Sequence, residues 1–140
     1  MEKGDKNNKE FDLQAEKFIQ ACQKGNETEV QFLLREDQNL IFAADSSKWT
    51  GFMHACHKNH DKIVQILLKN LEFKEILNAT DDSSWNGFLL ACKNGHENIV
   101  QILINHPESR NFICSKTDIG WTGFFYACLK GHVKGMSIVN

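Results

Sequence analysis

The chain has little proline, no long apolar run and almost no net charge. Pro107 is its only proline, so a proline-rich linker is excluded. None of its apolar stretches approaches the roughly 20 residues that a membrane-spanning helix needs. It has 16 basic and 18 acidic residues, whereas a nucleic-acid-binding domain is usually strongly basic. We therefore expect no membrane insertion and no nucleic-acid partner.

Targeting signals and catalytic motifs are also missing from the sequence. The polar start, MEKGDKNNKE, has no apolar stretch of the kind that a secretory signal or a membrane anchor requires. We expect a disordered polar tail over residues 1–11. The chain has no glycine-rich phosphate loop, no Gly-x-Ser-x-Gly and no His-Glu-x-x-His. The sequence predicts that the chain is not an enzyme and uses no cofactor.

Histidines and aspartates offer two weaker candidates for chemistry. His54, His57 and His60 stand three residues apart, but no carboxylate or cysteine completes a metal-ligand set in a fixed geometry. The adjacent Asp81 and Asp82, and Asp118, lie in polar turns, where aspartate favours hydrogen bonds to the local backbone over acid–base catalysis. We expect neither a metal site nor a catalytic pair.

One phrase, Trp-x-Gly-Phe-x-x-Ala-Cys, occurs three times in the chain. It begins at Trp49, Trp85 and Trp121, with 36 residues from each copy to the next. A fixed period between 20 and 50 residues is typical of a repeat array. Stacked repeats build an extended surface, so the function is expected on a surface rather than in a pocket.

Each copy has the pattern of two short helices joined by a tight turn. Thr50 is the predicted N-cap of a first helix, Phe52 to Lys58. Asn59 ends this helix, because asparagine tolerates the left-handed conformation. A second helix over Lys62 to Asn70 carries apolar residues at i, i+3 and i+4, and an irregular loop follows it. So wide an apolar face must be covered by neighbouring units.

These phrases make the chain similar to the ankyrin-repeat family. Residues 50–56 resemble the family's Thr-Pro-Leu-His-x-Ala-Ala, Asn59-His60 resembles Gly-His, and residues 63–68 resemble Ile-Val-x-x-Leu-Leu. The resemblance covers residues 12–140. Its other matching stretches are 85–104, 121–132 and, without the turn, a first copy at 18–34.

The resemblance implies an all-α fold. We expect an ankyrin-repeat solenoid of about 3.5–4 stacked helix-turn-helix units with finger-like β-turn loops, in a right-angled, L-shaped stack. The last unit departs from the pattern at Gly135 and Ser137, so it is either an improvised cap or part of a longer array; the longer array is favoured. The expected units are 12–44, 45–80, 81–116 and 117–140, the last truncated.

Two columns of the repeat differ from the family. Glycine replaces the proline that begins the family's first helix, which reduces rigidity. An apolar residue replaces the family's histidine, so packing substitutes for the Thr–His hydrogen bond of the family. The positions are Gly51, Gly87 and Gly123 for the first column, and Met53, Leu89 and Phe125 for the second.

Four of the five cysteines share one column, each following an alanine. A small apolar side chain suits a place where helices approach closely. Neighbouring helices lie ~8–10 Å apart, beyond the ~7 Å Cα limit of a disulfide, and no Cys-x-x-Cys pair suggests zinc. Packing is therefore favoured, and free thiols indicate an intracellular protein, cytoplasmic, nuclear or both. The four are Cys22, Cys56, Cys92 and Cys128.

The resemblance also implies a binding surface. Ankyrin-repeat proteins bind other proteins with the turn tips and the exposed side of the first helices, which together form a concave face. The matching positions here are Ser46, Ser47, Trp49, His57, Lys58, Asp82, Ser83, Trp85, Lys93, Asn94, Asp118, Ile119, Trp121, Leu129 and Lys130.

Two rows of this face each have two interpretations. The Trp column either anchors a partner or stiffens the turns by packing on its own turn or on the next Trp, and the repetition of one residue type favours the structural role. The lysine row either attracts an acidic partner or complements the helix dipoles, a role worth ~0.3–1 kcal/mol that is favoured. The lysines are Lys24, Lys58, Lys93 and Lys130.

The predicted function is that of a non-catalytic protein-interaction module, a scaffold or adaptor that binds one protein partner as a monomer. The alternative is a recruiting or regulatory segment of a larger multidomain protein, such as a ubiquitin-ligase adaptor, a kinase or a channel, whose activity lies outside this chain. The two differ in whether the polypeptide continues past Asn140.

Overall fold

The structure is a computed structural model that describes residues 2–69 and 74–129, with side chains described from residue 9 onward. The described part contains eight α-helices and two short 3₁₀ helices. The α-helices are α1 (Glu2–Lys24), α2 (Glu27–Glu36), α3 (Gly51–Lys58), α4 (Asp61–Leu68), α5 (Lys74–Asn78), α6 (Gly87–Asn94), α7 (Glu97–Ile104) and α8 (Gly123–Leu129); the 3₁₀ helices are Gln38–Phe42 and Ser109–Asn111.

The helices form two packed rows. The first helices of successive units contact each other in the order α1, α3, α6, α8, and the second helices contact in the order α2, α4, α7. Within a unit, α1 packs on α2, α3 on α4 and α6 on α7. This arrangement confirms the predicted all-α stack of helix-turn-helix units, whereas the L-shape of the stack stays a prediction.

The first helices begin and end as the sequence predicts. The Thr50 side chain accepts a hydrogen bond from the backbone N–H three residues later at 3.2 Å, and Asn86 does the same for α6 at 2.8 Å. At the other end, Asn59 has φ 66° and Gly95 has φ 70°, both in the left-handed region. Each helix is thereby limited to two turns, with its hydrogen-bonding groups satisfied at the start.

A steric contact explains the glycine at the start of each first helix. A Cβ added to Gly51 would lie 2.7 Å from Sγ of Cys22, and one added to Gly87 would lie 2.5 Å from Cε2 of Phe52. Gly123 meets the preceding unit in the same way. From the sequence, this glycine is expected only to reduce rigidity. The structure shows that any larger residue would collide with the Phe and Cys of the unit before.

The loops after the second helices differ from the predicted irregular coil. Helix α5 lies there in one unit and buries Ile76 and Leu77. In the next unit a 3₁₀ turn leads to Phe112, which is buried with its ring centroid 5.5 Å from that of Phe88. These loops contribute apolar side chains to the core. Burial of these side chains favours local helix over coil.

Helix α1 also differs from expectation at its start. It begins at Glu2 and so includes nearly all of the segment 1–11 that the sequence assigned to a disordered polar tail. Residues 2–10 contain no proline, and they extend a helix whose later turns are fixed by the buried Phe18 and Cys22. Adding turns to an existing helix costs far less than nucleating one.

Several predictions fall outside the described residues. These concern Asn70 at the end of the second helix, and Lys130, Gly131, His132, Gly135 and Ser137 in the last unit.

Candidate protein-interaction surface

The turn that precedes α3 is held by one carboxylate. Oδ1 of Asp45 accepts the backbone N–H groups of Ser47 at 2.9 Å and Trp49 at 3.0 Å. Lys48 takes the left-handed conformation with φ 65°, and Ala44 pairs with Thr50 in a short antiparallel bridge. The turn is therefore a compact finger whose backbone groups are satisfied locally.

The next two turns repeat this plan with one change. Oδ1 of Asp81 accepts from the N–H groups two and four residues later, at 2.9 and 3.0 Å. In the third turn Thr117 takes this place, and its Oγ1 accepts from the N–H of Trp121 at 3.3 Å. The N–H of Asp118 donates to the backbone oxygen of Ser83 at 3.0 Å, so the second and third turns are directly joined.

Trp49 links its own unit to the next turn. Its indole N–H donates to Oδ2 of Asp81 at 2.9 Å, and its ring lies 5.0 Å from His54 and 5.2 Å from His57 between centroids. The indole is half-buried. These contacts give Trp49 the structural role that the sequence favoured, although the indole contacts the first helix and the next turn rather than the next Trp.

Trp85 has different neighbours. The ammonium of Lys93 lies 5.0 Å from its ring centroid, and the ring of Tyr126 in the following unit lies 4.8 Å away. Thr117 occupies the position that Asp81 has in the preceding turn. The indole N–H of Trp85 therefore has no carboxylate at the position where Trp49 has Asp81. Trp85 is therefore part of a cation–π and aromatic contact on the helix side.

Trp121 continues this group of rings. Its centroid lies 4.5 Å from that of Phe125 and 5.2 Å from that of Tyr126. Trp85, Tyr126, Trp121 and Phe125 thus form one connected set, which we call the aromatic cluster. Phe125 is 47% exposed, whereas Met53 and Leu89 in the same column are fully buried, so the predicted packing role applies to those two and not to Phe125.

Polar contacts dominate the other end of the surface. Nε2 of His54 donates to Oδ2 of Asp45 at 2.7 Å, and the Gln23 amide lies 3.4 Å from its Nδ1. Partial burial raises the pKa of Asp45, but the hydrogen bonds from His54 and from the two turn N–H groups outweigh it, so the pKa is lowered overall. Asp45 is therefore ionised at neutral pH.

His57 joins the second and third units. Its Nδ1 accepts a hydrogen bond from the side-chain amide of Asn94 at 2.9 Å. Burial lowers the pKa of His57, and the positive charge of Lys58 lowers it further. A neutral imidazole at neutral pH suits this acceptor role.

The histidines that suggested a metal are engaged separately. His54 bonds Asp45, His57 bonds Asn94, and Nε2 of His60 donates to the backbone oxygen of Gln23 at 2.8 Å. Nε2 of His96 makes the equivalent bond to the backbone oxygen of His57 at 2.8 Å, so His60 and His96 tie the second and third units to the unit before each. In the described ranges, no group of three His, Cys, Asp or Glu side chains is arranged to hold a metal ion.

Three of the four column cysteines pack in the core as predicted. Cys22, Cys56 and Cys92 are free and buried. Burial raises the pKa of Cys22 and Cys92 to about 12 and that of Cys56 well above its usual value. Their thiols stay protonated and unreactive. Cys128 in α8 is instead exposed.

The predicted site residues divide by exposure. Half-buried are Trp49, His57, Ser83, Trp85, Asn94 and Trp121; exposed are Ser46, Ser47, Lys58, Asp82, Lys93, Asp118, Ile119 and Leu129; Lys130 is outside the described residues. The structure adds the half-buried His54 and the buried Tyr126 as residues that hold this face in place, which sequence reasoning missed. Both stand three residues before a predicted contact, one helical turn earlier on the same face.

The lysine row also falls where the sequence placed it. Lys24, Lys58 and Lys93 lie in the last turns of α1, α3 and α6, where a cation complements the helix dipole.

Comparison with known proteins identifies the family of this stack. A family model described as ankyrin repeats, in three copies, matches residues 3–81 and 70–139. No curated protein gives a significant match to the chain. In the described residues, none of the helices has both the length and the apolar character to cross a membrane. The family model spans nearly the whole sequence, and the chain belongs to the ankyrin-repeat family.

Proposed function

We propose that this chain is a non-catalytic scaffold or adaptor that binds a protein partner. Ankyrin repeats are generally protein–protein interaction modules. The proposed contact surface is the exposed side of α3, α6 and α8 together with the turns before them, and we call it the first-helix face. The proposal includes the repeat domain 12–140 with its four units, and a monomeric chain.

The observation that carries the proposal is the preorganisation of this face. The Trp49–Asp81, Ser83–Asp118 and His57–Asn94 hydrogen bonds fix successive units to one another. Large side chains between these bonds remain open to solvent, among them Lys58, Lys93 and Leu129. A rigid surface with exposed side chains binds a partner at a lower entropy cost than a mobile one.

We also propose that the chain acts inside the cell. The three buried thiols support this, because free cysteines are usual in a reducing compartment.

Charge-reversal variants test the proposed face. Lys58→Glu/Lys93→Glu changes two exposed lysines of the first-helix face, and Lys62→Glu/Lys69→Glu makes the same change on and just after α4. Proteins captured from cell extract by each variant and by the parent would be quantified by mass spectrometry. We expect one set of partners to be lost with the first variant and kept with the second.

If both variants lose the same partners, or if neither variant loses any, the contact lies elsewhere. Thermal melting of each variant belongs to the experiment, because capture is comparable only among folded proteins.

One observation favours the alternative of a recruiting segment in a larger protein. Phe124 is 47% exposed, whereas Phe52 and Phe88 in the same column are 1% exposed because the following unit covers them. A further repeat would bury Phe124 in the same way. Immunoblotting of cell extract with an antibody to this chain would decide: a band well above 16.0 kDa supports the alternative, and a band at that mass contradicts it.

A further inference from the structure

We infer that the partner segment recognised by the first-helix face is both acidic and apolar, with carboxylates at Lys58 and Lys93 and an apolar side chain against the aromatic cluster. The inference rests on the proposed function and specifies the chemistry of the partner. The occupant is a segment of another protein.

The first helices of the two middle units carry only positive charge. Helices α3 and α6 contain no aspartate or glutamate, and their charged residues are Lys58 and Lys93, both exposed. The ion pairs in the described chain use Lys48, His54 and Lys74, so these two lysines have no carboxylate partner there. The chain as a whole carries a net charge of −2, so this positive surface is local. A dipole role does not occupy the ammonium groups, which remain open to a partner.

A chain of ring contacts connects Lys93 to the aromatic cluster. Lys93 lies over Trp85, Trp85 contacts Tyr126, and Tyr126 contacts Trp121. The path ends at Phe125, whose ring is 47% exposed. Leu129, one helical turn later on α8, is 57% exposed. A partner that places a carboxylate on Lys93 therefore reaches an exposed apolar surface within the neighbouring unit.

Within the described residues, this exposure is found on α8, the helix that no other described unit follows. The column of Phe125 is fully buried in the two preceding units, and the column of Leu129 holds His57 and Lys93 there. Exposed apolar side chains gathered at one place mark contact sites. Aromatic residues beside a cation are also the usual anchors of protein interfaces.

The rim of the face argues against nucleic acid. Asp82 and Asp118 are exposed on the turns of the same face, where the ammonium of Lys48 pairs with the Asp82 carboxylate at 2.9 Å. A phosphate backbone that runs along this face would pass the Asp118 carboxylate and meet a lysine, Lys48, that is already paired with a carboxylate. A short peptide needs carboxylates only near Lys58 and Lys93, whereas a nucleic acid carries a phosphate at every nucleotide.

A peptide panel tests the inference on the full chain. The probe is a short labelled peptide in which glutamates alternate with leucine and phenylalanine. One control replaces every glutamate by glutamine, and another replaces every leucine and phenylalanine by serine. Fluorescence anisotropy measures each affinity. We expect each control to bind at least about tenfold more weakly, because each lacks one of the two contacts.

Matched variants locate the binding. Lys93→Glu should weaken the glutamate peptide about fivefold to tenfold, whereas Lys62→Glu, the same change on α4, should weaken it less than about twofold. Phe125→Ala should weaken it about fivefold while the circular dichroism spectrum stays unchanged, because Phe125 is largely exposed.

Four results would overturn the inference. They are no saturable binding of the glutamate peptide below about 1 mM, equal binding of the glutamine peptide, equal weakening by Lys62→Glu, and tighter binding of a short single-stranded oligonucleotide than of the peptide. If a captured partner depends on Lys58 and Lys93 but the peptide fails, the proposed function stands and this inference alone falls.

Discussion

Trp49 and Trp85 occupy the same column of the repeat but make different contacts. The indole N–H of Trp49 bonds a carboxylate of the next turn, whereas Trp85 lies between an ammonium and a tyrosine ring. One substitution in the following unit, Thr117 in the place of Asp81, separates the two cases. A residue that is repeated in three units can thus have a role set by its neighbour.

The same contrast extends over the whole face. Around Asp45 and His54 the polar groups satisfy one another, so little bonding capacity is left for a partner. The rings of Trp121, Tyr126 and Phe125 are connected, and although Tyr126 is buried, Phe125 is 47% exposed. The polar groups around Asp45 and His54 therefore stabilise the stack, and we propose Lys58, Lys93 and the aromatic cluster for recognition.

The largest expected effect compares an interior unit with the last one. Phe88→Ala removes a fully buried ring and should lower the free energy of unfolding by about 3–5 kcal/mol. Phe124→Ala, the same change in the same column, removes a half-exposed ring and should cost about 1 kcal/mol. Urea unfolding followed by circular dichroism measures both. Equal losses would show that Phe124 is covered in solution.

The second prediction tests the contact between units at Gly87. Gly87→Ala places a Cβ 2.5 Å from the ring of Phe52, which is itself buried, so we expect a net loss of about 2 kcal/mol. Gly120→Ala is the control: no atom lies within 4 Å of its added Cβ, and only its φ of 84° opposes the change, at about 1 kcal/mol. A stabilised Gly87→Ala variant would contradict the steric explanation, because alanine otherwise favours a helix.

The third prediction separates the two indoles. Trp49→Phe and Trp85→Phe remove the same N–H, but only at Trp49 does it bond Asp81. We expect Trp49→Phe to destabilise the chain by about 1 kcal/mol more than Trp85→Phe. Urea midpoints of both variants provide the measurement. If the order is reversed, the column is structural at Trp85 and the division of the face is wrong.

Features that repeat or depend on local backbone were predictable. The helix pairs, the Thr50 cap, the Asn59 ending and the buried cysteines arise from periodicity and from the conformational preferences of single residues. The 36-residue spacing alone was enough to indicate stacked units.

Features that depend on how two different units meet were not predictable. The bond from Trp49 to Asp81 joins residues 32 apart, and the repeat pattern shows which column each occupies but not that the two side chains touch. Helix α5 lies in a loop that shares no phrase with the other units, so periodicity carried no signal for it. The exposure of Phe125 depends on which neighbouring side chains cover α8, and column matching carries no information about that cover.

The smallest expected effect concerns pH at the polar end of the face. The pKa of Asp45 is lowered in the folded chain. Ionised Asp45 therefore contributes stability that is fully present above the pKa of the unfolded chain, about 4. This contribution is lost as the pH falls through the lower folded value. Asp45→Asn removes it at every pH while keeping a side-chain oxygen for the turn N–H groups. The melting temperature of the parent should therefore exceed that of the variant at pH 6, and the gap should narrow by pH 3.

Asp118→Asn serves as the matched control because it removes the same charge from an exposed turn position where the backbone N–H makes the hydrogen bond to the neighbouring turn. The difference in melting temperature between the parent and Asp118→Asn should change less between pH 6 and pH 3. A gap at Asp45 that stays constant as the pH falls would mean that His54 does not stabilise the carboxylate. The first turn would then be held by the N–H groups of Ser47 and Trp49 on Oδ1 of Asp45, and the contrast between the two halves of the face would rest on the aromatic cluster only.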